Sequence, residues 1–167
     1  MTPTTLDQTD TIRRSRRDEL TDLASDLTAA ALTPNGRIDI AAIHNRPTIL
    51  RRLAALLAEH LTPDIDRIVA TNADTALATA LSLHSGIPFV TLTGTGAVQG
   101  ELHPSERVAI IATTSNDDAR TRMAGTLDAL AVETRTDLTA LSTSIHDTRY
   151  VYRLSDDSLQ SSQEQAP

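Results

Sequence analysis

Short apolar runs and helix-length stretches take turns along the middle of this chain, and that alternation restricts the fold more than any single residue does. "DRIVAT" is an apolar run bounded by polar residues, and "DTALATALSLHSG" behind it is a helix that begins near Asp74 and stops at Gly86. "IPFVTL" and "RVAIIA" are two more strands, and "DDARTRMAGTLDALA" is a helix leading into a strand in "VETRTDLTAL". Strands separated by helices of this length form a parallel sheet with right-handed crossovers. The expected fold class is therefore α/β, a mostly parallel sheet flanked by helices. "RYVYRL" adds an edge strand, since Tyr150, Tyr152 and Leu154 alternate with Val151 and Arg153.

Helices precede the sheet. Leu20, Leu23, Leu27 and Ala31 recur at helical spacing, with Ser15 and Asp18 arranged as a capping box. "TPNGRIDI" interrupts that helix through Pro34 and Gly36. Pro47 suits a first helical turn, and Leu50, Leu53, Leu57 and Leu61 line one face behind it. At 167 residues the chain suffices for one domain with a sizeable core, here placed at residues 17–154. Residues 1–16 lack periodicity and residues 155–167 are polar and of low complexity, so both ends are expected to be disordered tails.

Composition removes several chemistries. With one phenylalanine, two tyrosines and no tryptophan, the core must be aliphatic, and base stacking is no basis for binding. A formal charge of -7 opposes non-specific nucleic-acid binding, and the short cluster Arg13, Arg14, Arg16 and Arg17 is followed by Asp18, Glu19 and Asp22. The absence of cysteine excludes disulfides and thiolate nucleophiles. Every basic residue is arginine, so Schiff-base chemistry and a lysine-dependent phosphate loop are excluded as well. No apolar run approaches the roughly 20 residues that span a bilayer, and the first residues contain no signal-like apolar stretch. A soluble cytoplasmic protein is expected, with neither nucleic acid nor membrane as partner.

Ligands of open α/β sheets bind beyond the carboxyl ends of the strands. Two loops hold that position: Thr71, Asn72, Ala73 and Asp74 after the first strand, and Thr113 to Asp118 after "RVAIIA". Elsewhere the signals are weak. His44, His60, His84, His103 and His146 show no metal-ligand spacing, so no metal is expected. "HNRP" at His44 reads as a helix cap through Asn45, and Glu101 with His103 as solvated surface. "TGTG" at Thr93 to Gly96 lacks the strand-to-helix setting of a nucleotide fingerprint, and no Gly-x-Ser-x-Gly elbow occurs.

"IPFVTLTGTGAVQGELHPSERVAIIATT", together with the order and spacing of the upstream segments, resembles the type I phosphoribosyltransferases, most of all their orotate phosphoribosyltransferase members. The resemblance extends from about Arg17 to about Ala140 and is one of scaffold. It implies a strand ending in two acids that hold the ribose hydroxyls of phosphoribosyl pyrophosphate, then a Thr-Thr-Gly loop that wraps the 5′-phosphate at a helix N-terminus. Here Ala112 and Thr113 stand at the acids, followed by Thr114 and Ser115. Asn116, Asp117 and Asp118 stand at Thr-Thr-Gly, and Ala119 and Arg120 replace small hydroxyl-bearing partners. The Arg-Lys pair implied after the Pro-Phe-Val strand is Thr93 and Gly94. The implied mobile-loop lysine is absent.

A unit charge about 5 Å from a phosphate charge, at an effective dielectric of about 20, costs roughly 3 kcal/mol. Asp117 and Asp118 would impose such a penalty, and Asp74 in the other loop would add to it. The expectation is an anion site closed by the chain's own carboxylates. The resemblance thus implies a phosphoribosyltransferase-fold pseudoenzyme, a non-catalytic binding or regulatory subunit in pyrimidine or nucleotide metabolism. It would pair with itself or with an active paralogue and use no cofactor. Two alternatives stand beside it: an active orotate phosphoribosyltransferase or related transferase with a divergent site, which would use magnesium, and a sensor that binds a nucleobase or nucleotide.

Overall fold

A computed structural model describes residues 5–143, 150–155 and 158–161. Its helices are α1 (Thr5–Ala31), α2 (Ile40–His44), α3 (Pro47–Ala58), α4 (Thr75–Ser85) and α5 (Asp117–Ala129). Its strands are β1 (Arg67–Thr71), β2 (Phe89–Leu92), β3 (Val98–Gln99), β4 (Arg107–Thr114), β5 (Glu133–Ser142), β6 (Tyr150–Ser155) and β7 (Ser158–Ser161). They form one sheet in the order β3-β2-β1-β4-β5-β6-β7. The five strands from β2 to β6 are parallel, and β3 and β7 close the two edges antiparallel. The fold is thus the expected α/β class, with a mostly parallel sheet.

Period-two alternation distributes the core to both faces of the sheet. Ile68, Ala70 and Ile111 point to the side that carries α1, α3 and α4, where they meet Leu23, Leu27, Leu53, Leu57, Leu77 and Leu81. Val69, Val108 and Ile110 point the other way, to Met123 and Leu127 of α5. The aliphatic composition is therefore used in two layers, one on each side of the strands. α4 ends at Gly86, which has φ 76° and donates its N–H to the Ser82 carbonyl, the left-handed cap that glycine adopts without strain.

The N-terminal rim of the sheet is fixed by charge. Asp66 accepts from the Arg107 backbone N–H at 2.9 Å and from its Nε and Nη2 at 3.0 and 3.1 Å. Next to it, Glu106 accepts from Nε and Nη2 of Arg67 at 3.1 and 2.7 Å. Each arginine thus binds the carboxylate beside the neighbouring strand, which sets the register of β1 on β4. The Arg107 guanidinium holds the Asp66 carboxyl down to about 2.

Several sequence expectations need correction. α1 begins at Thr5, inside the segment expected to be a tail, so Ser15 and Asp18 are interior to a helix and cap nothing. No glycine or proline lies between Thr5 and Arg17 to stop the helix extending backwards, and Arg16 anchors it by donating to Glu59 at 2.9 Å. At the other end, Ser158–Ser161 forms β7, so Tyr150–Ser155 is an inner strand with Tyr150, Val151, Tyr152 and Leu154 all buried. The remainder of the expected tails, residues 1–4, 156, 157 and 162–167, lies outside the described residues, as does His146. Asn45 is not the cap of α3: it closes α2, a helix started by the Asp39 carboxylate accepting from the Ala42 N–H at 3.2 Å.

Gly100, which follows β3, has φ 113°, and a Cβ there would lie 2.9 Å from Cγ1 of Val90 in the buried strand β2. Both backbone strain and overpacking oppose a side chain. Gly100→Ala is expected to destabilise the protein by about 1–3 kcal/mol, read as a lower urea midpoint; an unchanged midpoint would contradict this packing.

Candidate functional site

The sheet reverses its winding between β1 and β4, because β2 lies on one side of β1 and β4 on the other. A crevice at the carboxyl ends of these strands is the geometric result. After Thr71 the chain makes one 3-10 turn, Asn72–Asp74, and enters α4. The Asp74 carboxylate is 6% exposed and does not face solvent as a free charge. Its Oδ1 accepts from the Thr113 N–H at 2.8 Å and its Oδ2 from the Thr71 hydroxyl at 2.8 Å. One side chain therefore ties the ends of two adjacent parallel strands.

His44, delivered by α2, places Nε2 2.9 Å from the Thr113 hydroxyl. Thr113 is fully buried, and through its amide and hydroxyl it joins Asp74 to His44. Burial pushes the His44 imidazole below its usual range, and the Asp74 charge opposes that shift in part. Burial, and not the contact with Thr113, is what favours the neutral ring.

Across the crevice, α5 caps itself. Asn116 Oδ1 accepts from the Ala119 N–H at 3.0 Å. Asp117 and Asp118 follow in the first turn, exposed, where negative charge suits the positive end of the helix dipole. Arg120, one turn on, is 8% exposed and reaches β5: Nη2 lies 2.7 Å from the Thr139 hydroxyl and 2.8 Å from the Asp137 carboxylate.

Between these elements lies a cavity of about 460 Å3. The sequence-selected residues Thr71, Ala73, Asp74, Ala112, Thr114, Ser115, Asn116, Ala119 and Arg120 are on its wall. Asn72 instead lines a smaller hollow of about 220 Å3, on the side of Thr93 and Gly94. Thr113 lies buried behind the wall, and Asp117 and Asp118 line neither space. This alters the expected electrostatics. The two exposed aspartates do not project into the cavity, and Asp74 is committed to Thr113 and Thr71, so the closure is made by hydrogen bonds more than by repulsion.

Arg37, Ser142 and Thr143 also belong to the wall, and His44 to the structure behind it. From the sequence alone, "HNRP" reads as a cap through Asn45, and Arg37, Ser142 and Thr143 carry no role. "HNRP" did mark His44, but no local pattern specified a partner 69 residues away. Glu101 and His103 are exposed, and no metal-binding group of three His, Asp or Glu side chains occurs among the described residues.

No protein-family model matches the sequence, and no curated protein matches it. Solved structures do match. Orotate phosphoribosyltransferase of Mycobacterium tuberculosis, in complex with inorganic phosphate, superposes with a TM-score of 0.61 over 74% of this chain and 83% of its own, at 18% identity. The fold is that of the phosphoribosyltransferases. Adenine phosphoribosyltransferase of Saccharomyces cerevisiae matches over 80% of this chain and 89% of its own, with a TM-score of 0.56 and 18% identity. UMP synthase of Leishmania donovani matches with a TM-score of 0.60 at 20% identity over 72% of this chain, which spans only 31% of the synthase. At these identities the likeness is one of fold.

The lowered pKa of His44 has a pH signature. Its folded-state value lies below the unfolded one of about 6.5, so the unfolded chain takes up the proton first. The stability this group contributes is complete above about pH 6.5 and is lost as pH falls through the folded value. Melting temperature should therefore drop between pH 7.5 and 5.5, and His44→Gln should flatten that drop; superimposable profiles for the two proteins would refute the assignment.

Proposed function

We propose that this chain is a phosphoribosyltransferase-fold protein without transferase activity, a binding or regulatory subunit linked to nucleotide metabolism, pyrimidines in particular. The observation that carries the reading is the state of the backbone donors at the crevice. A sugar phosphate seated on a helix N-terminus needs free N–H groups. Here Asn116 occupies the Ala119 N–H, and Asp74 occupies that of Thr113.

The strand end supports the same reading. Ala112 and Thr113 provide no carboxylate to hold ribose hydroxyls, and Thr93 and Gly94 no cation to meet pyrophosphate. A magnesium ion carried by phosphoribosyl pyrophosphate would likewise find no carboxylate at that strand end. Asp74, which reaches the strand end from the neighbouring loop, already has both oxygens engaged. Each loss removes a different part of the substrate's binding. A protein of this kind acts by assembly, as a homodimer or with an active paralogue, in the cytoplasm. No helix among the described residues is long and apolar enough to cross a membrane. The cavity favours a second reading, a nucleobase or nucleotide sensor, since about 460 Å3 is within the range of small-molecule sites.

Incubated with phosphoribosyl pyrophosphate, magnesium and a panel of nucleobases, the protein is expected to release no pyrophosphate above background; turnover would identify an active transferase instead. Titration with orotate, uracil and their monophosphates tests the sensor, with binding below about 100 µM, some 5.5 kcal/mol, as the supporting result.

Uncovering the helix end is a second test. Asn116→Gly combined with Asp117→Asn and Asp118→Asn should give calorimetric binding of sulfate that the parent protein lacks. Equal heats for both proteins would sink the self-capping account.

A further inference from the structure

Helix α4 is apolar on two sides and contains no Asp, Glu or Arg. One side, Leu77, Ala78 and Leu81, is buried in the core. On the opposite side Ala76, Thr79, Ala80 and Leu83 fall at i, i+3, i+4 and i+7 and make a second stripe. A helix that is apolar around most of its circumference is normally covered on both sides. Leu83 is not covered: it is 84% exposed, more than any other large apolar side chain among the described residues.

The second stripe borders a groove of about 780 Å3, and α3 supplies the other wall through Thr48, Arg51, Arg52 and Ala55. No acidic side chain lines it, although the chain holds 22 Asp and Glu against 15 arginines. The basic side chains on the wall are Arg51, Arg52 and His84. Arg52 is compensated by Asp26, 2.7 Å away. Arg51 is exposed and pairs with no carboxylate among the described residues. An apolar floor thus lies beside an uncompensated positive edge, on a chain of net charge -7.

An open groove does not enclose a small molecule, which needs most of its surface covered, and Leu83 stands out into solvent. A helix fits better. From Ala76 to Leu83 the stripe runs two turns, about 10 Å, and the small side chains of Ala55, Ala76 and Ala80 allow close approach while Leu83 offers a ridge to pack against. A second copy docked through the same face would bring Arg51 and His84 against groups of their own sign. We propose that the groove between α3 and α4 docks an amphipathic helix of a different protein, its apolar face on Ala76, Ala80 and Leu83 and an acidic flank toward Arg51. Docking here rests on the proposed role as a non-catalytic binding subunit, and deepens it by naming the face used and the chemistry of the partner.

The test uses two synthetic peptides of about 18 residues, long enough to be helical when docked. Both carry leucine at i, i+3, i+4 and i+7; one has glutamate and the other lysine on the remaining face. By fluorescence anisotropy with the full chain, the glutamate peptide is expected to bind below about 100 µM and about threefold or more tighter than the lysine peptide. Leu83→Ser, at an exposed position outside the core, should weaken it about tenfold or more. Arg51→Glu should weaken it about threefold or more and reverse the preference between the peptides. No binding of the glutamate peptide up to about 1 mM, equal affinity for the two peptides, or binding that either substitution leaves unchanged overturns the proposal. Sedimentation of the protein alone decides the remaining case: self-association that Leu83→Ser disperses would put a second copy in the groove and overturn it as well. If docking fails while no pyrophosphate is released, the non-catalytic reading stands and only the docking falls. Pyrophosphate release would remove that reading whatever the peptides do.

Discussion

The Asp74 carboxylate, buried between the Thr113 amide and the Thr71 hydroxyl, is the contact on which the shape of the crevice depends. Parallel strands at a switch point diverge at their carboxyl ends, and a ligand ordinarily enters there. In this protein a side chain bridges them. Because a buried carboxylate must be paired to be tolerated, the bridge is strongly constrained: either partner, once lost, leaves a charge in a place of low polarity. His44 adds to the constraint by holding the Thr113 hydroxyl, which brings α2 against the end of β4.

Charge is arranged differently at the two rims of the sheet. At the amino-terminal rim, Asp66 with Arg107 and Arg67 with Glu106 form reciprocal pairs between adjacent segments, and each group finds a full partner. At the carboxyl-terminal rim, Arg120 is shared between Thr139 and Asp137 with one nitrogen left over, while Arg37 adds a second cation to the cavity wall. A complete set of pairs makes a structural rim.

Much of the fold was legible because it rests on local patterns. Apolar runs such as "RIVAT" and "VAIIA", separated by helices of ten or more residues, leave a parallel sheet as the economical solution, and the structure has it. The ends were harder. Nothing periodic marks Thr5 to Arg17, and from Thr11 to Arg17 the side chains of α1 are exposed with no apolar face to display. Ser158–Ser161 reads as polar low-complexity sequence, yet it closes an edge by pairing with β6, a gain in backbone hydrogen bonds that side-chain composition does not reveal.

By itself, the sequence determined which chemistries the crevice lacks: Ala112 and Thr113 bear no acid, the chain has no lysine, and no cysteine is available. Those are properties of residue identity, and folding does not alter them. The direction of each charge was decided only by tertiary structure. Asp74, Asp117 and Asp118 are alike in sequence as carboxylates in loops at the sheet end, but one is buried as a strand tie and two are exposed on a helix turn. Arg120, which the sequence places only as a substitute for a small hydroxyl-bearing loop residue, became a buried cation facing β5. Electrostatic energy depends on distance and burial, and neither is fixed until segments far apart in the chain have packed together.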